Sequence, residues 1–485
     1  MTPRRPEPSP PRGARGQPLD RLLVGGTVVL GSGRQAAALG LREGRVAWTG
    51  AEEAAPPAAE VLDASGKWIL PGAVDPHVHF RTFSAHIDTF ADVARSAAHG
   101  GVTTMVAFAT GEENETMLAS LRRAREEGEG GSVVDFSLHA WIFEDLGYIA
   151  EIPKAVDAGV TSFKVMMGYR KRGRGRCVPD DCAYAAMELA GRHGGIVLVH
   201  AENGLVIDYL ENQALAAGMS GAEFMRRARP PQMEAEAVAR SVHLADLAGC
   251  PLYVVHLTSA AALAEVKRAR AEGKDVIAET CPQYLAITEA AVEEMGALAK
   301  VAPPLRPQAD VEALWRGIQE GWIDLVGSDH APYTRAQKNE KPFVESPFGA
   351  PGIETLLPVL FSEGVARGRL SAERLVQLTS EYPARALGLY PQKGTLLVGS
   401  DADLVVIDPR GKTRVRAAEQ HTNSDYSLFE GWELSGRLEM SLVRGEVVLR
   451  NGAIEQKPGF GRFIPRERAG GRAALPPACW APGGG

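Results

Sequence analysis

Eight short apolar runs, separated by stretches of helical character, constrain the fold of this 485-residue chain more than any other feature. The runs are Trp68–Val74, Thr103–Ala109, Val134–Leu138, Ser162–Met167, Ile196–Val199, Leu252–Val255, Val276–Ala278 and Ile323–Gly327. Near-continuous apolar strands that alternate with helices indicate a parallel sheet covered on both faces. Eight strands over about 260 residues predict an α/β fold of the (β/α)8 TIM-barrel type. An open, doubly wound sheet is the alternative, and it would bind its ligand at a single switch point.

Shorter β-type runs near both ends of the chain predict a second, smaller unit. They are Leu22–Leu30, Ala37–Leu41 and Arg45–Trp48 before the barrel, and Ala402–Ile407, Met440–Val443 and Glu446–Leu449 after it. We expect the two sets to pair into one small β-sandwich domain. The predicted organisation is a disordered tail over 1–19, the β domain over 20–70 and 391–462, the barrel over 71–390, and a C-terminal tail over 463–485.

Composition narrows the function classes. The chain has 53 basic and 60 acidic residues and a net charge of −7, which gives no electrostatic footprint for nucleic acid. No apolar run reaches the ~18 residues that a membrane span needs, and the first residues lack the apolar core of a secretory signal. The five cysteines are odd in number and form no C-x-x-C pair, so we expect reduced thiols and a cytoplasmic location.

Residues that can bind metal lie at the ends of five predicted strands, and the ends of barrel strands share one mouth. They are His77 and His79 after the first run, Lys164 in the fourth, His200 after the fifth, His256 after the sixth and Asp329 after the eighth. A lone histidine on an apolar strand is more often a packed core residue. Four at equivalent strand ends, together with an aspartate, instead predict a metal centre. Imidazole and carboxylate ligands suit Zn²⁺, with Mn²⁺ or Co²⁺ as alternatives.

Lys164 does not fit a metal site as an ammonium, because a cation cannot ligate a cation. One reading is a lysine paired with a neighbouring carboxylate. The other is that CO₂ has added to the amine to give N6-carboxylysine. That carbamate is an anion with two oxygens, one for each of two divalent ions, and it would set the spacing of a two-metal site.

Ten motifs carry a resemblance to a known family. They are HVH, FKV with Lys164, HAEN, VVH, ETCPQYL, APPLR, GSDHAP, APGIET, KGTLLVGSDADLVV and LFEGWELSG. Together they resemble the cyclic amidohydrolases, most closely the dihydropyrimidinase and hydantoinase branch, from about Leu22 to Arg462. The resemblance implies hydrolytic ring opening of a small cyclic amide or ureide, and a homotetramer or other homo-oligomer.

The resemblance also implies roles for the site residues. One metal ion would take His77, His79, Lys164 and Asp329, and a second would take Lys164, His200 and His256. A hydroxide between the two ions would attack the ring carbonyl, and Asp329 would pass its proton to the leaving nitrogen. Tyr169 would stabilise the oxyanion; the alternative is a loop residue that shields the barrel mouth.

Two further positions correspond to the substrate contacts of the family. Ala302 stands before PPLR, where relatives often have Ser, and a main-chain contact can survive that change. Phe348 stands where hydantoinases usually have Asn, so we expect a reshaped pocket. The loop from Tyr333 to Phe348 is predicted to cover the barrel mouth.

Arg81, in His77-Val78-His79-Phe80-Arg81, leaves other substrates open. Dihydroorotases use such an arginine to bind a substrate carboxylate, but the expected Asn after the second strand is absent from Phe108-Ala109-Thr110-Gly111. Arg81 therefore either faces an acidic substrate or pairs with a loop carboxylate. Allantoinase activity is a further alternative. A non-catalytic scaffold of the same fold is disfavoured, because all six ligand positions are filled.

Overall fold

Eight parallel strands form a barrel in the centre of the molecule. The computed structural model describes residues 18–81, 87–112, 114–169 and 177–476. In order around the barrel, the strands are Ala73–Val78, Val102–Ala109, Asp135–Trp141, Ser162–Met166, Ile196–His200, Leu252–Val254, Val276–Thr280 and Leu325–Val326. The His79 amide donates to the His330 carbonyl over 2.9 Å, and this contact joins the first strand to the chain after the eighth. The predicted (β/α)8 barrel is confirmed.

The first predicted strand, Trp68–Val74, is wrong because it merges two strands of different sheets. Trp68–Pro71 pairs antiparallel with Leu404–Arg414, whereas Ala73–Val78 belongs to the barrel. The chain crosses between the sheets at Gly72, where an added Cβ would lie 2.1 Å from the Thr103 hydroxyl. Two consecutive apolar strands cannot be separated by hydropathy alone.

Two further sheets are built from the ends of the chain, one from N-terminal strands alone and one from strands of both ends. The four-stranded sheet contains, in order, Arg45–Gly50, Ala38–Arg42, Leu19–Val24 and Ala58–Asp63. The seven-stranded sheet contains, in order, Ala453–Ile454, Glu446–Arg450, Glu433–Val443, Leu404–Arg414, Trp68–Pro71, Thr27–Leu30 and Gly33–Ala36. Side chains of both sheets, such as Leu23 and Leu404, share one apolar core. This is the β-sandwich that the terminal β-type runs predict.

Helices surround the barrel and connect its strands. The α-helices are Phe90–His99, Met117–Gly131, Leu146–Ile149, Ile152–Asp157, Asp180–Arg192, Gly204–Ala216, Gly221–Ala228, Pro231–Ala248, Ala260–Ala271, Pro282–Ala286, Ala290–Met295, Gln308–Gln319, Arg335–Asn339, Leu356–Leu360, Ala372–Val376 and Tyr382–Ala386. Their buried faces are apolar, as in Phe90–His99, which begins with a capping box between Thr89 and Asp92. Within the described ranges, no helix has both the length and the apolar character that a membrane crossing requires.

Residues 463–476, the described part of the predicted C-terminal tail, pack against the barrel. The Ile464 amide donates to the Phe136 carbonyl over 2.7 Å, and Arg466 is almost fully buried. The Gly- and Pro-rich composition of this end gave no sequence signal for its few buried side chains. At the other end, a strand already begins at Leu19, within the predicted tail. Residues 1–17 and 477–485 lie outside the described ranges.

Candidate metal centre

Three predicted ligands meet at the barrel mouth as one cluster. His77 Nε2 lies 3.1 Å and His79 Nε2 lies 3.3 Å from Asp329 Oδ1. His77 is in the first barrel strand and Asp329 follows the eighth, so closure of the barrel brings them together. Alternation along the strand puts both imidazoles on the same side. These three groups could hold a metal ion.

Glu279, in the seventh barrel strand, orients the first of these histidines. Its Oε1 accepts a hydrogen bond from His77 Nδ1 over 2.8 Å, and its Oε2 accepts one from the Tyr253 hydroxyl over 2.5 Å. A carboxylate that binds the far nitrogen of an imidazole fixes its tautomer, so that Nε2 faces the cluster. The sequence analysis assigned Glu279 no role. Glu279 directly follows the apolar run Val276–Ala278 and is the first residue of ETCPQYL, and an acid at the end of a barrel strand is the signal that could have identified it.

A second pair of histidines lies beside this cluster. His200 Nδ1 is 3.0 Å from His256 Nε2, and the rings of His77 and His256 are 5.3 Å apart. His200 Nε2 donates to Glu202 Oε2 over 2.7 Å. Glu202 therefore orients His200 as Glu279 orients His77, with the remaining nitrogen turned towards His256.

Lys164 is buried in the fourth barrel strand beneath these groups. Its side chain is almost fully enclosed, and Nζ has no hydrogen-bond partner within the described ranges. Nζ lies 5.1 Å from the centre of the Phe108 ring, which also stacks on His79. Burial lowers the pKa of Lys164 to about 8, so a neutral amine is accessible near physiological pH.

Burial also keeps most of the imidazoles neutral. It lowers the pKa of His79 to about 4, and it lowers the pKa values of His200 and His256 as well. Burial opposes the ionisation of Asp329, but the charge of His77 and the histidine hydrogen bonds lower its pKa well below the usual value. The site therefore offers neutral imidazole nitrogens and one carboxylate, which is the ligand chemistry of zinc.

Two of the predicted ligands have left-handed backbone conformations. His256 has a φ of 40° and Asp329 a φ of 50°. A non-glycine residue in this region costs of order 1–3 kcal/mol and persists where the surrounding structure enforces it, often at a functional site. His256 lies two residues after the sixth barrel strand and Asp329 three residues after the eighth, where the chain leaves the barrel.

The spacing of the donor atoms fits metal binding. Two ligands on a tetrahedral zinc ion, with bonds of about 2.0–2.1 Å, lie roughly 3.3 Å apart. The two histidine–aspartate distances are 3.1 and 3.3 Å, and the histidine pair is 3.0 Å apart. His256 Nδ1 is buried without a hydrogen-bond partner in the described part of the chain. Like the Lys164 amine, it is a polar group that a packed core would not leave unpaired.

Two of the four predicted substrate-contact residues, Tyr169 and Phe348, lie beside the histidine pair. The Tyr169 ring lies 5.1 Å from the His200 ring and 5.6 Å from that of Phe348, so both aromatic residues line this side of the site. Ala302 is buried in the loop before Pro303. Arg81 is exposed, with a φ of 34°, and precedes residues 82–86, which the structure does not describe. The roles of all four residues stay predictions.

Three further buried residues near the site have structural roles. His330 Nε2 lies 3.1 Å from Asp88 Oδ2, and His330 Nδ1 accepts from the Gly352 amide, so its ring does not orient Asp329. His139 Nε2 donates to the Pro76 carbonyl over 2.8 Å, which supports the first barrel strand next to His77. Cys281 is fully buried, and burial raises the pKa of its thiol, as expected for a packed core residue.

Comparison with known proteins identifies the family of this chain. Residues 68–448 match the amidohydrolase family. The D-hydantoinase of Streptomyces coelicolor is 38% identical over 465 residues, which cover 92% of this chain and 97% of the relative. The crystal structure of a dihydropyrimidinase from Brevibacillus agri has a TM-score of 0.88 and 36% identity, and the match covers 92% of this chain and 98% of that one.

A hydantoinase of the opposite stereochemical designation is just as similar. The L-hydantoinase structure from Arthrobacter aurescens has a TM-score of 0.88 and 35% identity, and covers 92% of this chain and 100% of its own. The similarity therefore identifies the branch without selecting a stereochemistry. The chain belongs to the amidohydrolase family, on its hydantoinase and dihydropyrimidinase branch.

Proposed function

We propose that this protein hydrolyses a ring amide bond of a hydantoin or dihydropyrimidine at a two-metal centre. The observation that carries the proposal is that two donor clusters, His77–His79–Asp329 and His200–His256, lie close together, with the rings of His77 and His256 5.3 Å apart, near the buried amine of Lys164. Nearly full-length similarity to hydantoinases and a dihydropyrimidinase supports the same reaction class.

The ligand sets are the following. One divalent ion would be held by His77, His79, Lys164 and Asp329, and the other by Lys164, His200 and His256. Lys164 would contribute to both sets as N6-carboxylysine, formed when its neutral amine nitrogen bonds to the carbon of CO₂, one C=O π pair moves to oxygen, and the nitrogen gives up one proton. The lowered pKa of Lys164 favours this step. When bound, the ions supply a hydroxide nucleophile at neutral pH and polarise the substrate carbonyl. Zn²⁺ is the preferred metal, with Mn²⁺ or Co²⁺ as alternatives.

Two protein groups handle proton and charge. The lowered pKa of Asp329 makes it a carboxylate at neutral pH, so its oxygen can accept the proton of the attacking nucleophile and deliver it to the leaving ring nitrogen. The Tyr169 hydroxyl donates a hydrogen bond to the oxygen on which negative charge develops. Main-chain groups at Ala302 and Phe348 hold the substrate ring.

Dihydroorotate and allantoin are the competing substrates. Arg81 favours an acidic substrate, but Phe108, the penultimate residue of the second barrel strand, presents an aromatic ring whose centre lies 4.9 and 4.8 Å from the rings of His77 and His79. An apolar ring there cannot donate a hydrogen bond to a carboxylate. We therefore favour a neutral cyclic amide. A cytoplasmic location and a homotetramer stay predictions.

A substrate screen tests the proposal. Zinc-loaded protein is assayed with dihydrouracil, D- and L-5-substituted hydantoins, allantoin and dihydroorotate, and its zinc content is measured. We expect two ions per chain and turnover of a hydantoin or dihydrouracil. Turnover of dihydroorotate alone would contradict the choice of branch, and the absence of bound metal would contradict the mechanism.

A further inference from the structure

Arg229 reaches the second histidine pair from outside the barrel strands. It ends the helix Gly221–Ala228, and its side chain is 2% exposed. Its Nη1 donates to Glu202 Oε2 over 2.6 Å, and its Nη2 donates to Glu211 Oε1 over 3.3 Å. A buried guanidinium needs such partners, because removing one side of a buried ion pair leaves an uncompensated charge.

The ion pair acts on a proposed metal ligand. The Glu202 oxygen that binds Arg229 also accepts the hydrogen bond from His200 Nε2. Held from both sides, the carboxylate has little freedom to rotate, and the His200 ring is fixed with Nδ1 towards His256. Arg229 thus controls the orientation of His200 without touching it.

The same guanidinium supports the aromatic side of the site. Its central carbon lies 5.0 Å from the centre of the Tyr169 ring and 4.6 Å from that of Phe348. Cation–π contacts of this length are strongest where they are shielded from water, as they are for this buried guanidinium. Phe348, which replaces the Asn usual in relatives, thereby contacts the group that orients His200.

We propose that Arg229 is a positioning residue that couples the orientation of His200 to the aromatic wall formed by Tyr169 and Phe348. The inference rests on the proposed function, since it takes His200 and His256 as ligands of one of the two ions. It follows that a change in Phe348 alters the affinity of the protein for that ion through Arg229. It also follows that loss of the Arg229 charge impairs metal binding and substrate binding together.

Zinc affinity tests the coupling with a readout that does not depend on turnover. Full-length wild type, Arg229→Met, Arg229→Lys and Phe348→Leu are titrated with Zn²⁺ against a chelator, and bound zinc is measured by mass spectrometry. In Arg229→Met we expect one ion to stay bound tightly and the other to bind about 10- to 100-fold more weakly. Arg229→Lys keeps the positive charge but not the paired guanidinium donors. We expect its zinc affinity to lie between those of wild type and Arg229→Met. Phe348→Leu weakens the same ion about threefold.

A double variant and a matched control test whether Phe348 affects zinc affinity through Arg229. In Arg229→Met, the added Phe348→Leu change should have no further effect on zinc affinity, because the coupling group is already absent. Arg270 is a comparably buried arginine paired with Asp324, away from the metal centre. Arg270→Met should lower stability and leave both ions bound.

Three outcomes overturn the inference: wild-type zinc affinity in Arg229→Met, wild-type zinc affinity in Phe348→Leu, or an equal Phe348→Leu effect with and without Arg229. If Arg229→Met does not fold, Arg229→Lys and Phe348→Leu still decide the matter. A wild type that binds fewer than two ions would instead contradict the proposed two-metal centre.

Discussion

At the scale of single residues, burial shifts ordinary ionisable groups towards the protonation states that a metal ligand needs. A free lysine amine is almost entirely protonated at pH 7, whereas burial lowers the pKa of Lys164 to about 8. A free imidazole is partly protonated at that pH, whereas burial lowers the pKa of His79 to about 4. At neutral pH the His79 imidazole is therefore neutral, and a minor fraction of the Lys164 amine carries a free lone pair. The same desolvation would be a cost without a ligand, which explains why such groups are rare in a core.

Removal of the Lys164 amine is therefore the most direct test of the proposed bridging role. Lys164→Met keeps the length of the side chain but leaves no nitrogen for a carbamate. We expect it to bind at most one zinc ion tightly and to lose activity at least 100-fold, because both ions lose a shared ligand. Bound zinc and hydrolysis rate are the measurements. Ser162→Ala, on the same strand, is the control and should retain both ions. Two tightly bound ions with intact activity in Lys164→Met would exclude the bridging role.

At the scale of elements, two buried lysines shape the loop that carries Phe348. Lys300 Nζ donates to the carbonyls of Phe343, Val344 and Ser346 over 2.6–3.0 Å. Lys338 Nζ donates to the carbonyls of Lys300, Pro347 and Gly349, each over 2.8 Å. Every ammonium hydrogen can thus meet a backbone oxygen. The loop is held from inside by these six bonds.

Removal of one of these lysines should loosen the loop. Lys338→Met leaves three carbonyl oxygens without their donor, so we expect the free energy of unfolding to fall by about 2–4 kcal/mol. Substrate KM should rise, and cleavage within residues 340–349 by a protease should become faster. Lys341→Met is the matched control, because Lys341 is exposed in the same loop. Equal stability of the two variants would show that the buried ammonium does not hold the loop.

The elements also show what the sequence could and could not predict. The barrel and the convergence of His77 with Asp329 followed from strand spacing, because strand ends share one mouth in this architecture. The sequence did not predict the burial of Lys338, because a lysine in a polar loop is normally solvated. Its burial depends on carbonyls from distant residues. The sequence did not predict the contact of Arg229 for the same reason, since its partner Glu202 lies 27 positions away along the chain. Local patterns carry periodicity, but not which side chains meet in three dimensions.

At the scale of the whole molecule, a buried charge cluster joins the barrel to the β-sandwich. Lys393 is fully buried, and its Nζ lies 2.5 Å from Asp135, 2.7 Å from Asp403 and 3.1 Å from Asp401. Asp135 begins the third barrel strand, and Asp403 immediately precedes the sandwich strand Leu404–Arg414. Arg444 also pairs with Asp135. Removing one cation would leave three carboxylates facing one another at the junction.

This arrangement predicts a pH-dependent stability defect in Lys393→Met. At pH 7 we expect a loss of about 3–5 kcal/mol, as for other broken buried ion pairs. Burial already raises the pKa of Asp403 despite Lys393. Without that cation, the folded-state pKa rises further above the unfolded value, so the folded protein takes up protons as the pH falls. The defect relative to wild type should therefore shrink between pH 7 and pH 5.

Urea denaturation of wild type and variant at both pH values measures this change. The metal centre is common to both proteins, so its own pH dependence cancels in the difference. Lys412→Met, which removes an exposed lysine paired with Glu433, is the control and should show a small, pH-independent effect because exposed pairs contribute little. A Lys393→Met defect of the same size at pH 5 and pH 7 would mean that carboxylate repulsion does not cause it. In that case the junction would depend on packing around Lys393 rather than on its charge.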